Sequence, residues 1–198
     1  MKLISILESL IPWFLMNIVL IGYRGSGKST VGRKLAACLQ RGFVDTDELI
    51  EERHGAPIND IVESQGWNHF RALEKSIIET VSKKDHLIIA PGGGAALDSN
   101  NVIALKRNGL IIWLKADSHV LFERMGKDPQ TIDRRPSLTG KGSLEEIEEV
   151  LTFRNGFYEE ASSIQLDTSE MNVAAVVESV LTIFDEMIRN GCNGRGTA

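Results

Sequence analysis

Apolar residues arrive along this chain in short blocks, and the blocks alternate with stretches of helical period. The first block, IVLI at residues 18–21, is β-branched and free of polar residues, the pattern of a strand covered on both faces. A glycine-rich turn follows, and residues 30–40 read as a helix. FVDTD at 43–47 forms a second strand edge, and helical patterns fill about 48–84, broken near Gly55-Ala56-Pro57 and again at Gly66. HLIIA at 86–90, LIIWL at 110–114 and SIQLD at 163–167 supply three further strands, with a closing helix at 172–188. Strands separated by helices predict a parallel sheet with helices on both faces, so the expectation is one α/β domain.

The two ends of the chain stand apart from this pattern. MKLISILESLIPWFL is strongly apolar, yet it carries Glu8 and Pro12, a single lysine at its start and no small-residue cleavage site, unlike a signal peptide. It also runs almost directly into the first strand, too close for a spanning helix plus linker. Two expectations stay open: an amphipathic helix packed on the domain, or an extension upstream of a natural start at Met16. Residues 1–16 are thus read as an extension, 17–190 as the domain and the polar 191–198 as a frayed tail.

Composition narrows the function classes. With 198 residues and 42% hydrophobic content, the chain is long enough to bury one substantial core. A net charge of −5 without a long basic run points away from nucleic acid. Cys38 and Cys192 lie far apart with no metal-ligand spacing, and nothing argues for disulfides, which suits a reducing cytosol. Cys38 falls within the first helix and reads as a small core residue.

The glycine-rich turn carries the clearest chemistry. GYRGSGKS at 22–29 fits G-x-x-x-x-G-K-[ST] between a strand and a helix, the context that pattern requires. Glycines let the backbone curl its N–H groups around an anion, and the helix N-terminus adds partial positive charge there. Gly25, Ser26, Gly27, Lys28, Ser29 and Thr30 are therefore the expected phosphate-binding set. Lys28 reaches the outer phosphates, and the Ser29 hydroxyl can ligate Mg²⁺.

In a parallel sheet, ligands sit beyond the carboxyl ends of the strands. Asp45 and Asp47, Pro91-Gly92-Gly93-Gly94 and Lys115-Ala116-Asp117 are therefore expected to converge with the phosphate loop. No N-K-x-D or D-x-x-G pattern supports a GTPase, and no L-S-G-G signature supports a transporter-type ATPase. The third strand ends in glycines rather than in a metal-binding acid, leaving Asp45 and Asp47 as the nearest carboxylates. Glycines there suit a backbone closely approached by a second ligand, which favours a small kinase with two adjoining sites.

Residues 17–188 resemble a shikimate kinase. GYRGSGKSTVGRKLA, FVDTDELIE, FRALE, PGGGAAL, RRPSLTG and RNGFYEEA occur in that family's order at plausible spacings. The resemblance implies a three-layer P-loop kinase fold with a five-stranded parallel sheet flanked by helices, and a mobile lid at about 124–141. It implies transfer of the ATP γ-phosphate to the 3-hydroxyl of shikimate, on the way to chorismate and aromatic amino acids, by a cytoplasmic monomer with no membrane partner. Asp47 would bind and orient the attacking hydroxyl, with Asp45 nearer the Mg²⁺ through water. Arg71 and Arg154 would clamp the acceptor carboxylate, while Gly92, Gly93 and Gly94 offer backbone amides to the ring hydroxyls. Arg135 in the lid would bridge the transferring phosphate and the acceptor, and Arg124 would stack on adenine.

Plainer roles compete for several of these residues. Asp45 and Asp47 could cap a helix, Arg71 could pair with Glu74 at i,i+3, and Arg154 with Glu148 or Glu149. The chain also departs from the family pattern: Gly66-Trp67 stands where Gly-Glu is usual, Gly156 replaces a proline, and the lid has Ser137 in RPSL. A kinase for gluconate or a nucleoside monophosphate, and a non-catalytic nucleotide sensor, are the remaining alternatives.

Overall fold

The computed structural model describes residues 15–127 and 144–193. Among these, five strands alternate with seven α-helices. In chain order they are β1 (Asn17–Ile21), α1 (Lys28–Leu39), β2 (Gly42–Asp45), α2 (Thr46–His54), α3 (Ile58–Val81), β3 (Leu87–Ala90), α4 (Ser99–Lys106), β4 (Gly109–Lys115), α5 (Ser118–Gly126), α6 (Leu144–Ala161), β5 (Ile164–Asp167) and α7 (Val173–Asn193). A short 3₁₀ turn, Ala95–Leu97, precedes α4.

The strands form one parallel sheet in the order β2-β3-β1-β4-β5. All five residues of β1 are buried, and alternate side chains feed opposite cores. Val19 and Ile21 join Ile89, Ile111 and Trp113 beneath Ile61, Phe70, Ile77 and Ile78 of α3. Ile18 and Leu20 join Ile88, Ile112 and Leu114 against Val31 and Leu35 of α1 and Val176, Val180 and Phe184 of α7. Two apolar faces on one strand explain why the IVLI block has no polar alternation.

Local deviations from the sequence expectation have simple causes. Asp47 lies in the first turn of α2 rather than on a strand, because the Asp45 carboxylate caps the helix by accepting from Asp47 N at 3.0 Å and Glu48 N at 3.4 Å. The break at Gly55-Ala56-Pro57 separates α2 from α3, and Gly66 (φ 79°, ψ 166°) kinks α3 without ending it. Cys38 is exposed rather than in the core, since the buried residues of α1 are Val31, Gly32, Leu35 and Ala36 and Cys38 lies past them in the helix's last turn. The closing helix continues past 188 to Asn193. The expected lid begins within α5, but from residue 128 through 143 it lies outside the described residues, as do residues 1–14.

Leu20 is fully buried within the sheet's core on the α1/α7 side. Leu20→Ala should lower folding stability by about 2–5 kcal/mol in urea unfolding. A variant as stable as the parent would place Leu20 outside the packed core.

Candidate active site

The phosphate loop leaves β1 and turns into α1 along a path only glycine permits at its first position. Gly22 has φ 145°, and a Cβ there would lie 2.6 Å from the Leu114 carbonyl oxygen. Lys28 Nζ donates to the carbonyls of Gly22 at 2.9 Å and Tyr23 at 3.0 Å, holding the curl from within. Ser26 Oγ is buried without a hydrogen-bond partner. Helix α1 starts on Gly27 with no side-chain cap and no acid in its first turn, so its amide ends and dipole favour an anion. Gly25, Ser26, Gly27, Lys28, Ser29 and Thr30 all line one cavity of about 880 Å³, together with Asp45, Asp47, Pro91 and Arg124.

Asp45 combines both roles anticipated for it. Its Oδ1 caps α2, while its Oδ2 accepts from Ser29 Oγ at 2.5 Å. Two hard oxygen donors side by side next to the phosphate loop fit a Mg²⁺ ion, which prefers one or two protein oxygens and keeps several waters. Asp47, one residue into α2, lines the same cavity. Between them Thr46 is buried and its Oγ1 accepts from Gly92 N at 3.1 Å, tying the end of β2 to the loop after β3.

That loop receives both candidate clamp arginines. Arg154, 8% exposed on α6, donates Nη1 to Gly93 O at 3.2 Å, and Tyr158 one turn later donates its hydroxyl to the same oxygen at 2.5 Å. Arg154 is thus an interior residue rather than a surface partner of Glu148 or Glu149. Arg71 on α3 does pair with Glu74, Nη1 to Oε2 at 2.6 Å, and its guanidinium also presses on Gly94. A Cβ on Gly94 would lie 2.5 Å from Arg71 Nη2, so a side chain there would displace the guanidinium; the φ of Gly94 is an ordinary −98°. Burial raises the Glu74 carboxyl above its usual value, against the pull of the Arg71 charge, and Glu74 Oε1 is buried with no partner.

Arg124, at the end of α5, donates to Thr168 Oγ1 at 3.2 Å and to the carbonyls of Thr168 at 2.7 Å and Met171 at 3.3 Å. It therefore borders the cavity beside the β5–α7 loop, where Thr168, Met171, Asn172 and Val173 form the wall. Lys115-Ala116-Asp117 does not converge with the rest as expected. It lines a separate cavity of about 370 Å³ with Tyr23, Trp113 and Thr152, walled by α6, whereas the main cavity is walled by α1 and the start of α7. Arg135 lies outside the described residues.

Several site residues escaped sequence reasoning. The β5–α7 loop would have been found by applying the strand-end rule to the fifth strand as well. Thr46 was hidden between two acids, and Tyr158 belongs to a quoted motif without an assigned task. Arg24 of the phosphate loop borders the cavity, and burial pushes its pKa down while Tyr23 and Glu146 oppose the shift.

The geometry is that of a phosphate cavity joined to a glycine loop flanked by two arginines, and the family model for shikimate kinase matches residues 24–185. The chain belongs to the shikimate kinase family. The shikimate kinase of Syntrophus aciditrophicus is 39% identical over 176 residues, which is 85% of this chain and 90% of that one. That of Symbiobacterium thermophilum is 38% identical over 89% of this chain and 100% of its own length. Among solved structures, a shikimate kinase from Acinetobacter baumannii in complex with shikimate superposes with a TM-score of 0.82 at 30% identity, covering 90% of this chain and 97% of that one. Shikimate kinases transfer phosphate from ATP to an alcohol, so the phosphate-holding loop serves group transfer rather than a switch or a motor. Among the described residues, no helix is long and apolar enough to cross a membrane.

Glu74 gives this site a pH signature. A carboxyl raised on folding contributes stability that is present below its unfolded value, 4.5, and is lost as pH rises through the folded value. Glu74→Gln cannot ionise, so its urea midpoint should gain on the parent's as pH rises from that value. A constant difference between the two midpoints across pH would refute a raised Glu74.

Proposed function

We propose that this chain transfers the γ-phosphate of ATP to the 3-hydroxyl of shikimate, giving shikimate 3-phosphate on the way to chorismate and the aromatic amino acids. The observation that carries the residue assignment is the meeting of Arg71 and Arg154 on Gly93 and Gly94, next to the phosphate cavity. Shikimate has a carboxylate at one end of its ring and hydroxyls at the other. Two guanidinium groups suit the carboxylate, since each planar fork can bind it with paired N–H donors.

The roles then distribute along the cavity. Backbone amides of residues 25–30 and Lys28 hold the phosphates, and Arg124 borders the adenine end. Asp47 accepts a hydrogen bond from the attacking hydroxyl and aims its oxygen at the γ-phosphorus. In phosphoryl transfer, positioning and charge neutralisation carry most of the catalysis, so Asp47 acts chiefly by orientation. Ser29 and Asp45 would hold Mg²⁺, which supplies charge neutralisation on the phosphate oxygens. Arg135 completes the assignment from the family resemblance, as a cation from the lid. A cytoplasmic monomer also follows from that resemblance.

The deciding experiment measures ADP release from ATP with Mg²⁺, offering shikimate, gluconate, AMP and CMP singly. Turnover with shikimate alone is expected. Turnover with another acceptor would keep the phosphate loop and remove the carboxylate clamp, and tight ATP binding with no turnover would favour a sensor. Within the clamp, Arg154→Ala should raise KM for shikimate roughly tenfold or more, as expected for a charge-assisted hydrogen bond, and leave KM for ATP within about twofold. An unchanged shikimate KM would return Arg154 to a purely structural role.

A further inference from the structure

Helix α3 places a second group of side chains around Arg71. The kink at Gly66 restarts the helix, and Trp67 opens the new segment. Phe70, Arg71 and Glu74 follow at i+3, i+4 and i+7, so all four share one face. The Arg71 guanidinium carbon lies 5.5 Å from the Trp67 ring centre and 5.2 Å from that of Phe70. The two rings meet edge to face at 5.8 Å and 83°, making a corner in which the guanidinium sits. Glu74 holds Nη1 at 2.6 Å, and Gly94 lies close to both Nη2 and Nη1.

Each contact restrains a different freedom of a long side chain. Glu74 sets the direction in which the group points, and the rings set where its face can lie. Trp67 is 37% exposed, and the Arg71 side chain 36%, so the indole covers part of a cation that is otherwise open to water. A ring engages a guanidinium through its face and leaves the in-plane N–H donors available. An acid at position 67, as in the family pattern, would instead stand at i,i+4 to Arg71 and compete for those donors with an anionic acceptor.

We propose that Trp67 is a positioning residue for the acceptor: it fixes and shields the Arg71 guanidinium so that the N–H donors Glu74 does not engage are kept for the acceptor carboxylate. This rests on the reading of Arg71 as half of the carboxylate clamp. Trp67 favours an acceptor carrying a planar anion and has no part in binding ATP.

The test is steady-state kinetics with shikimate and ATP on Trp67→Ala, Trp67→Phe, Trp67→Glu, Arg71→Ala and the Trp67→Ala/Arg71→Ala double variant. Trp67→Ala should raise the shikimate KM roughly three- to fivefold, the size of an exposed cation–π contact, with kcat and the ATP KM within about twofold. Phenylalanine should restore most of the loss, and glutamate should raise the shikimate KM at least as far as alanine does. In the Arg71→Ala background, Trp67→Ala should have no further effect. If Arg71→Ala raises the shikimate KM and Trp67→Ala does not, the proposal is overturned and the clamp stands. If Arg71→Ala itself changes nothing, the clamp reading fails and Trp67 falls with it. Equal losses in kcat and both KM values would make Trp67 a general stabiliser and overturn the proposal. Should the alanine variant not fold, the comparison of Phe with Glu decides: equal shikimate KM values in the two would refute the positioning role.

Discussion

Strand β3 lies between β1 and β2, and the meeting of the phosphate loop, the Asp45–Asp47 turn and the glycine loop depends on that pairing. Val19 pairs with Ile89, and Asp45 with Ala90, so three parallel strands end along one edge of the sheet. The phosphate loop, the Asp45–Asp47 turn and the glycine loop leave the sheet there as neighbours, although some 70 residues of sequence separate the first from the last. Because the strands are buried on both faces, the register cannot slip without turning two cores inside out. The hydrogen bond from Gly92 N to Thr46 Oγ1 then fastens two of the three exits to each other.

The two halves of the site use different materials. At the phosphate end, the main chain does the holding, through a curl stabilised by Lys28 and the start of α1. At the acceptor end, side chains arrive from α3 and α6 and meet a loop whose glycines leave them room. Arg154 and Tyr158 are one turn apart and both donate to Gly93 O, so α6 is docked on the loop through the residue proposed to clamp the acceptor. That helix is held by a contact to a distant loop, whereas on α3 the pairing of Arg71 with Glu74 is local to the helix itself.

Much of this was legible from residue order. The blocks of β-branched residues fixed five strands to within a residue or two, since burial on both faces leaves no other use for them. GYRGSGKS was sufficient for the phosphate loop, because its chemistry is carried by backbone and spacing. Side-chain partnerships were harder. Arg71 could be read either as a helix-surface ion pair or as a ligand clamp, and it pairs with Glu74 while abutting the glycine loop. Arg154 offered the same choice, yet it is buried, because the loop after β3 folds back over α6, a contact that spans 61 residues of sequence. Lys115-Ala116-Asp117 misled because strand-end reasoning says which edge of a sheet is used and not which helices wall each cavity there; this segment opens towards α6 rather than towards α1 and α7.

The first helices of the domain begin very differently. Helix α1 opens with no acid and no cap, while α2 opens under the Asp45 carboxylate with Asp47 and Glu48 behind it. Both starts border the same cavity. The cavity is therefore polarised, electropositive along one wall and electronegative along the other, before anything enters it. A polyanion carrying a divalent counterion is itself such a dipole, and in this field only one of its two head-to-tail orientations is favourable. The direction an incoming nucleotide takes is thus set by one helix start left bare and by the carboxylates gathered at the next.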